Sequence, residues 1–293
     1  MKRRQDAYRY EVEDDRFYRV SDGESNANLL LTCCFHIGYS CNIQCPYCFS
    51  PFASKKLVRV DFREIASFIG EQQLQRVVIS GGEPFLYERE LLSAVEALKD
   101  LGTSVLISTN GLLLSKSINR YESILRKVDW VDISLPAATP STYQIVRQYD
   151  GFDEVITAVK KLQDFGKRVR LSFSLCDSNE RELYQFLELV ASLGVENVRI
   201  GNMYLPDQSK TNSLPSTDFL LNEAPHIRQV YLPLDQEAFT HYCEGYLVIR
   251  YDGKLFKCSA LDSSMIGSIV DFCDKDAIEE MAIHQAFLFG QGD

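Results

Sequence analysis

Residues 41–48 read CNIQCPYC and place three thiols, Cys41, Cys45 and Cys48, on one short segment with the spacing C-x3-C-x2-C. Pro46 lies between the second and third thiols and disfavours a helix interior, so we expect a turning loop. Three soft ligands on one loop suit zinc or an iron-sulfur cluster. The segment therefore predicts a metal centre, and disulfides are disfavoured because the chain has nine cysteines, an odd number.

Zinc is the simpler of the two interpretations. A closed structural zinc site has four ligands, and His36, five residues before Cys41, is a candidate for the fourth. A zinc-stabilised binding protein is thus the alternative from another functional class. The rest of the chain has to separate it from an iron-sulfur protein.

Composition and charge restrict the class of partner. The chain has 293 residues, of which 45% are hydrophobic and 25% charged, as in ordinary globular proteins. A net charge of -10 argues against a nucleic-acid backbone as the main partner. No apolar run is long enough to cross a bilayer, and the first residues lack a signal-peptide apolar core. We expect a cytoplasmic protein that binds neither nucleic acid nor membrane.

Strand-like and helix-like segments alternate from residue 29 onward. The six strand candidates are Leu29–Ile37, Arg76–Ser80, Ser104–Ser108, Trp130–Leu135, Val169–Leu175 and Asn197–Gly201. Amphipathic helix candidates span residues 61–72, 89–101, 117–127, 153–165 and 180–193. This order predicts an α/β fold, a partial (β/α)6 TIM-like barrel, with functional groups at the carboxyl ends of the strands.

Polar motifs follow several of these predicted strands. Residues 80–84 read SGGEP, where two glycines leave backbone groups uncovered for the ammonium and carboxylate of a ligand. Thr109 ends the third strand, and Ser134 ends the fourth, thirteen residues before Arg147. A hydroxyl can bond a ribose hydroxyl and a guanidinium can bind a carboxylate in a fork.

Two motifs together resemble a known family. The Cys triplet with an aromatic residue before its last Cys, followed one strand–helix unit later by Gly-Gly-Glu-Pro, resembles the signature of the radical S-adenosylmethionine (SAM) enzymes. The resemblance implies a 4Fe-4S cluster on Cys41, Cys45 and Cys48 with one iron open to SAM. It also implies reductive cleavage of SAM to a 5'-deoxyadenosyl radical, hydrogen abstraction from a substrate, and an electron donor such as flavodoxin or ferredoxin.

The resemblance extends to individual side chains in the peptide-modifying and molybdopterin-precursor members. It implies SAM contacts at Tyr47, Gly81, Gly82, Glu83, Thr109, Ser134 and Arg147. One departure is Pro136-Ala137, where such members commonly have Asp-Gly. Cys176, at the end of the fifth predicted strand, is a candidate hydrogen-atom donor, although free Cys is most often a small buried hydrophobe.

The domain organisation is expected to have four parts. Residues 1–28 form an N-terminal arm, 29–205 the core barrel, 206–235 a proline-containing linker, and 236–293 a C-terminal extension with a β-hairpin and a helix. Asp252-Gly253 between alternating apolar runs marks the hairpin. Pairing Tyr251 with Lys254 would place Cys258 opposite Leu247.

The C-terminal cysteines resemble a second cluster-binding element. The spacing C-x9-G-x4-C from Cys243 to Cys258 resembles the opening of the SPASM and twitch extensions of radical SAM enzymes, and the short tail favours a twitch-like half domain. The resemblance implies an auxiliary iron-sulfur cluster on Cys243, Cys258 and Cys273. The alternative is a small hairpin domain in which these are core thiols.

This extension also bears on the substrate. A twitch-like element favours maturation of a ribosomal peptide, whereas the short chain also admits a sugar, a nucleoside or another natural product. Both interpretations stay open at the level of sequence.

Overall fold

The computed structural model describes residues 9–13, 16–20, 32–48, 61–72, 74, 76–203, 229–231, 247–256 and 265–268. The N-terminal arm contains strands β1 (Arg9–Glu13) and β2 (Arg16–Val20), which pair antiparallel as a two-stranded sheet of their own. No helix among the described residues is both long and apolar enough to span a membrane.

One open sheet of ten strands organises the described part of the main chain. Its strands are β3 (Thr32–His36), β4 (Arg76–Ser80), β5 (Ser104–Thr109), β6 (Trp130–Ser134), β7 (Arg168–Leu175), β8 (Asn197–Asn202), β9 (Gln229–Tyr231), β10 (Leu247–Arg250), β11 (Lys254–Phe256) and β12 (Met265–Ser268). Their order is β12-β11-β10-β3-β4-β5-β6-β7-β8-β9, and every pair from β10 to β9 is parallel. The predicted partial barrel is confirmed.

Seven helices accompany the sheet: α1 (Phe62–Glu71), α2 (Glu88–Asp100), α3 (Leu112–Ser117), α4 (Glu122–Leu125), α5 (Pro140–Arg147), α6 (Phe152–Asp164) and α7 (Leu183–Ser192), counted over the described residues. The predicted helix 117–127 is wrong in its first half, because Ser117, at φ -153° and ψ 73°, is not helical and a 3₁₀ turn follows at Ile118–Tyr121. Helix α5 was not predicted. Thr139 caps its start and Pro140 occupies its first turn.

The core lies between the helices and one face of the sheet. Helix α6 buries Val155, Ala158, Val159 and Leu162, a stripe with helical spacing. The stripe belongs to the same core as Val131, Ile133 and Leu171. Since side chains alternate along a strand, Asp132 and Arg170 lie on the opposite, inner face of the barrel.

The C-terminal hairpin continues the main sheet, because β10 pairs with β3 and Leu247 lies opposite Cys33. The predicted pairing of Tyr251 with Lys254 is wrong. Ile249 lies opposite Leu255, and the turn is a three-residue loop in which Gly253 has φ 78° and donates its N–H to the Arg250 carbonyl at 2.8 Å. The register moves by one residue, so the argument that placed Cys258 opposite Leu247 no longer holds.

Several sequence predictions fall outside the described residues. They include the proposed auxiliary ligands Cys243, Cys258 and Cys273 and the helix expected near the chain end. Within the predicted linker 206–235, strand β9 pairs with β8, with Val230 opposite Val198. At least this part of the linker belongs to the sheet.

A buried ion pair joins two central strands on the inner face. Arg170 Nε donates to Asp132 Oδ1 at 3.1 Å, and Ser172 Oγ donates to the same oxygen at 2.6 Å. Burial alone would raise the pKa of the Asp132 carboxyl, but Arg170 and Ser172, with Arg199 nearby, lower it below its ordinary value. The charged pair therefore stabilises the β6–β7 junction.

We predict that Asp132→Asn lowers the free energy of unfolding at pH 7 by about 3 kcal/mol, because a buried guanidinium loses its counter-charge. A carboxyl whose pKa is lowered by folding contributes stability above its unfolded pKa and loses that contribution as the pH falls through the folded pKa. The difference between wild type and variant should therefore shrink below about pH 4.

Urea unfolding followed by circular dichroism at both pH values measures this effect. Asp164→Asn, which changes an exposed carboxylate at the end of α6, is the control and should shift the midpoint little. A difference between wild type and Asp132→Asn that does not depend on pH would contradict the ion-pair account.

Candidate functional site

The Cys loop, residues 37–48, is tied by its backbone to the end of the neighbouring strand β4. Ile37 N–H donates to the Ser80 carbonyl at 3.1 Å. In return, Gly82 N–H donates to Gly38 at 2.8 Å and Glu83 N–H donates to Ser40 at 2.9 Å. Three backbone hydrogen bonds therefore fix the course of the chain just before Cys41.

Gly81 and Gly82 permit this close approach of two backbones. A Cβ atom at Gly81 would collide with the Gly38 carbonyl oxygen, and one at Gly82 with the Ser40 carbonyl oxygen. Gly81 also has φ 129°, which L side chains rarely adopt. We expected both glycines to offer backbone groups to a ligand, but the N–H of Gly82 is already used by the Cys loop.

The carboxylate of Glu83 is fully buried beneath this turn. Its oxygens accept from Thr109 Oγ1 at 2.8 Å, from the Asn110 N–H at 2.9 Å and from the Phe85 N–H at 3.1 Å. Burial raises the pKa of Glu83, and these three hydrogen bonds oppose the rise. Two predicted site residues, Glu83 and Thr109, thus bond to each other and join the ends of β4 and β5.

Asn110 is a site residue that the sequence interpretation did not single out. Its side-chain amide donates to Asn42 Oδ1 at 2.8 Å and lies 3.8 Å from Cys41 Sγ, while its Oδ1 accepts from the Leu112 N–H at 3.0 Å. The signal was present as an Asn-Gly pair directly after a buried strand. Asn110 therefore links the buried Glu83 carboxylate to the Cys loop, because its backbone bonds to Glu83 and its side chain to Asn42.

The three thiols of the loop lie in a partly buried environment. Cys45 is buried, and Cys41 and Cys48 are half-buried. A turn between the last two is closed by the Cys48 N–H, which donates to the Cys45 carbonyl at 3.1 Å. Burial raises the pKa of the Cys41 thiol, and the neighbouring Glu83, Cys45 and Cys48 raise it further.

The donor set fits an iron-sulfur cluster better than a single ion. Within the described ranges, no three Cys, His, Asp or Glu side chains are gathered around one metal position. The predicted zinc ligand His36 instead has Nδ1 3.4 Å from Tyr39 Oη, and burial, with a smaller effect of Arg250, lowers its pKa to about 3. Structural zinc takes four protein ligands, whereas iron-sulfur clusters are held by Cys thiolates, so the three thiols of this loop suit a cluster.

A buried arginine at the end of α5 contacts both the Cys loop and the end of β6. Arg147, the last residue of α5, donates from Nη1 to Cys45 Sγ at 3.2 Å and from Nη2 to Ser134 Oγ at 2.5 Å and the Ser134 carbonyl at 3.0 Å. Its guanidinium lies 5.7 Å from the Tyr47 ring centroid and 6.0 Å from that of Tyr143. The structure thus brings together three predicted residues, Tyr47, Ser134 and Arg147, around Cys45.

Two side chains that follow strand β7, Asn179 and Glu182, hold the connection between β6 and α5. Glu182 accepts from the Ala138 N–H at 2.9 Å, Thr139 Oγ1 at 2.7 Å and Thr142 Oγ1 at 2.6 Å. Asn179 Nδ2 donates to the Pro136 carbonyl at 2.9 Å. The segment Pro136-Ala137, where the sequence departs from the pattern of the similar family, is therefore held by the Asn179 side chain and by the bonds of Glu182 to the residues that follow it.

Cys176, the candidate hydrogen-atom donor, lies near the site without joining its polar network. It packs in a small cluster with Val146 and Met203, against which Tyr47 also packs. Burial raises the pKa of its thiol. Backbone groups of Ser178 and Asn179 also hydrogen-bond to the thiol and oppose this rise, and the role of Cys176 as a donor stays a prediction.

Comparison with known proteins adds independent findings. The sequence model of the family described as Radical SAM superfamily matches residues 35–201. A probable GTP 3',8-cyclase from Saccharolobus islandicus is 32% identical over 165 residues, and one from Saccharolobus solfataricus is 31% identical over 167 residues. Each alignment covers 55% of this chain and 53% of the relative, so the chain spans about half the length of the curated relatives it matches.

Solved structures resemble the fold over most of the chain. Streptococcus suis SuiB bound to precursor peptide SuiA has a TM-score of 0.67 at 14% identity, covering 89% of this chain and 67% of that one. Native anSMEcpe with bound AdoMet and Kp18Cys peptide has a TM-score of 0.65 at 17% identity, covering 87% of this chain and 82% of that one. At such identities the likeness concerns the fold.

We predict that Gly82→Ala displaces the Cys loop, because the new methyl group would overlap the Ser40 carbonyl. The variant should unfold more easily by about 2 kcal/mol, as strained close contacts typically cost. Its loop thiols should also react faster with an alkylating reagent, as mass spectrometry of the modified peptides would show. Gly70→Ala, whose added methyl would meet only the Leu101 side chain, is the control. Equal alkylation rates in wild type and Gly82→Ala would contradict this role.

Proposed function

Because the chain belongs to the radical SAM superfamily, we propose that Cys41, Cys45 and Cys48 hold a 4Fe-4S cluster that cleaves SAM reductively. These three thiols would hold the cluster, which would supply the electron for reductive cleavage of SAM to methionine and a 5'-deoxyadenosyl radical, the species that would take a hydrogen atom from the substrate. The observation that carries the proposal is the convergence of two strand ends and one helix end on the Cys loop, through Gly82 after β4, Asn110 after β5 and Arg147 at the end of α5.

The protein's own groups position and shield this chemistry. The backbone bonds from β4 and the amide of Asn110 set the course of the loop. Tyr47, Gly81 and Ser134 are proposed to contact SAM, as the sequence resemblance implies. Glu83, Thr109 and Gly82 are proposed to act mainly through the loop, because their described polar groups already bond to protein atoms. An external donor such as flavodoxin or ferredoxin is proposed to supply the electron.

A peptide is the proposed substrate class, with maturation of a ribosomal precursor as the reaction. Two features support it: the C-x9-G-x4-C spacing from Cys243 to Cys258, and a fold shared with SuiB bound to precursor peptide SuiA and with anSMEcpe bound to Kp18Cys peptide. Residues 236–293 are proposed to form the twitch-like extension, with an auxiliary cluster on Cys243, Cys258 and Cys273. The described part of this extension is the hairpin joined to β3.

A nucleotide is the second candidate substrate. A relative named probable GTP 3',8-cyclase is 32% identical to this chain over 165 residues. The peptide-bound structures are 14% and 17% identical. This alternative falls within the small-molecule class, with sugars, nucleosides and other natural products.

The substrate classes are separated by whether a candidate accelerates SAM cleavage. Under reducing, anaerobic conditions we expect GTP to leave the rate of 5'-deoxyadenosine formation unchanged. Synthetic peptides from short reading frames beside the gene should raise it. Chromatography of the products measures both. Stimulation by GTP, together with a new nucleotide product, would replace the peptide proposal by the nucleotide alternative.

We predict that Cys45→Ala abolishes 5'-deoxyadenosine formation with dithionite as reductant, because the cluster loses one of three ligands. Cys33→Ala, which truncates a fully buried core thiol in β3, is the matched control and should retain the activity. Formation of 5'-deoxyadenosine by Cys45→Ala at the wild-type rate would contradict the proposal that a cluster on these thiols cleaves SAM.

A further inference from the structure

The guanidinium of Arg147 donates hydrogen bonds both to the Cys loop and to Ser134 at the end of β6. The side chain is only 6% exposed, and Nη1 donates to Cys45 Sγ while Nη2 donates to Ser134. Its Nε is buried and has no hydrogen-bond partner among the described residues. A cation and a directed N–H donor thus lie against one proposed cluster ligand.

The guanidinium of Arg147 carries five N–H groups, of which three are used by protein atoms. Nη1 donates to Cys45 Sγ, and Nη2 donates to Ser134 Oγ and to the Ser134 carbonyl. The N–H of Nε and the second N–H of Nη1 remain for another ligand. The SAM contact that the sequence resemblance implies for Arg147 stays a prediction, and the contact with Cys45 is a second role of the same side chain.

The protein holds this cation firmly in place. Tyr47 and Tyr143 present their rings at 5.7 and 6.0 Å from the guanidinium carbon, distances at which aromatic faces attract a cation. A guanidinium stays protonated at all ordinary pH values, so the positive charge persists beside Cys45. A buried cation acts strongly on its neighbours because the local dielectric is low.

We propose that Arg147 is a positioning residue that holds Cys45 and raises the reduction potential of the cluster. The inference rests on the proposed function, since it requires a cluster on Cys45. Hydrogen bonds to cluster sulfurs and local net charge are principal determinants of cluster potentials. A cation that donates to a thiolate stabilises the reduced cluster, which carries one more negative charge.

The potential of the reconstituted, SAM-free protein tests this directly. At a solution potential that half-reduces the wild-type cluster, Arg147→Met should lower the ratio of reduced to oxidised cluster about tenfold, equivalent to about 59 mV for one electron. Arg147→Lys keeps the charge but loses the planar guanidinium, so its ratio of reduced to oxidised cluster should lie between those of the wild type and Arg147→Met. Redox titration followed by electron paramagnetic resonance (EPR) measures the ratio.

Arg120→Met is the matched control, because Arg120 is a surface side chain, 63% exposed and paired with Glu88. Its loss removes the same formal charge and should leave the potential unchanged. Iron and sulfide content and circular dichroism establish that each variant is folded and loaded. An equal fall in Arg120→Met and Arg147→Met would overturn the proposal, since the effect would then come from overall charge.

Isotope labelling tests the contact even where Arg147→Met fails to fold. Wild-type protein labelled with ¹⁵N-arginine should show a nitrogen coupling to the reduced cluster in pulsed EPR, and Arg147→Lys should lack it. No arginine coupling in the wild type would overturn the proposal. If the wild type forms no cluster, the proposed function fails as well. If it forms one that cleaves SAM but Arg147→Met leaves the potential unchanged, only the role of Arg147 fails.

Discussion

The buried carboxylate of Glu83 is the interaction on which the site depends. A carboxylate with no access to water is costly unless its oxygens are hydrogen-bonded, and here Thr109 and Asn110 supply those bonds from the next strand end. The backbone N–H of Glu83 bonds to Ser40 in the Cys loop. One residue thereby couples three segments that are distant in sequence. Displacement of the end of β5 would leave the buried carboxylate without two of its hydrogen bonds, and displacement of the Cys loop would leave the Glu83 N–H without its acceptor.

The position of the thiols follows from this coupling together with a second one from the opposite side. Asn110 extends the Glu83 network to Asn42 and Cys41, while Arg147 reaches Cys45 from the end of α5. Helix α5 is in turn held by Glu182 through Thr139 and Thr142. The loop is thus contacted at Cys41 from the end of β5 and at Cys45 from the end of α5. A radical reaction benefits from such fixed groups, because the reactive species is held against its target and away from water.

Local patterns predicted the parts of the fold whose cause is local. Alternation of apolar runs located β4 without error, and amphipathic spacing located α6 to within a residue at each end. The failures have non-local causes. The hairpin register depends on the αL conformation of Gly253, and β9 is a three-residue strand that exists by pairing with β8. In the site, the residue types around the Cys loop were predicted, but Asn110 and the partners of Gly82 and Arg147 depend on contacts across strands.

The central claim is that this loop holds a cluster with one iron open to SAM. The most direct measurement is the EPR spectrum of the anaerobically reconstituted, reduced protein as SAM is added. The account predicts the signal of a reduced 4Fe-4S cluster whose g-values change saturably with SAM, because SAM binds the open iron. A cluster signal that SAM leaves unchanged, or protein that takes up zinc but no iron and sulfide, would contradict it.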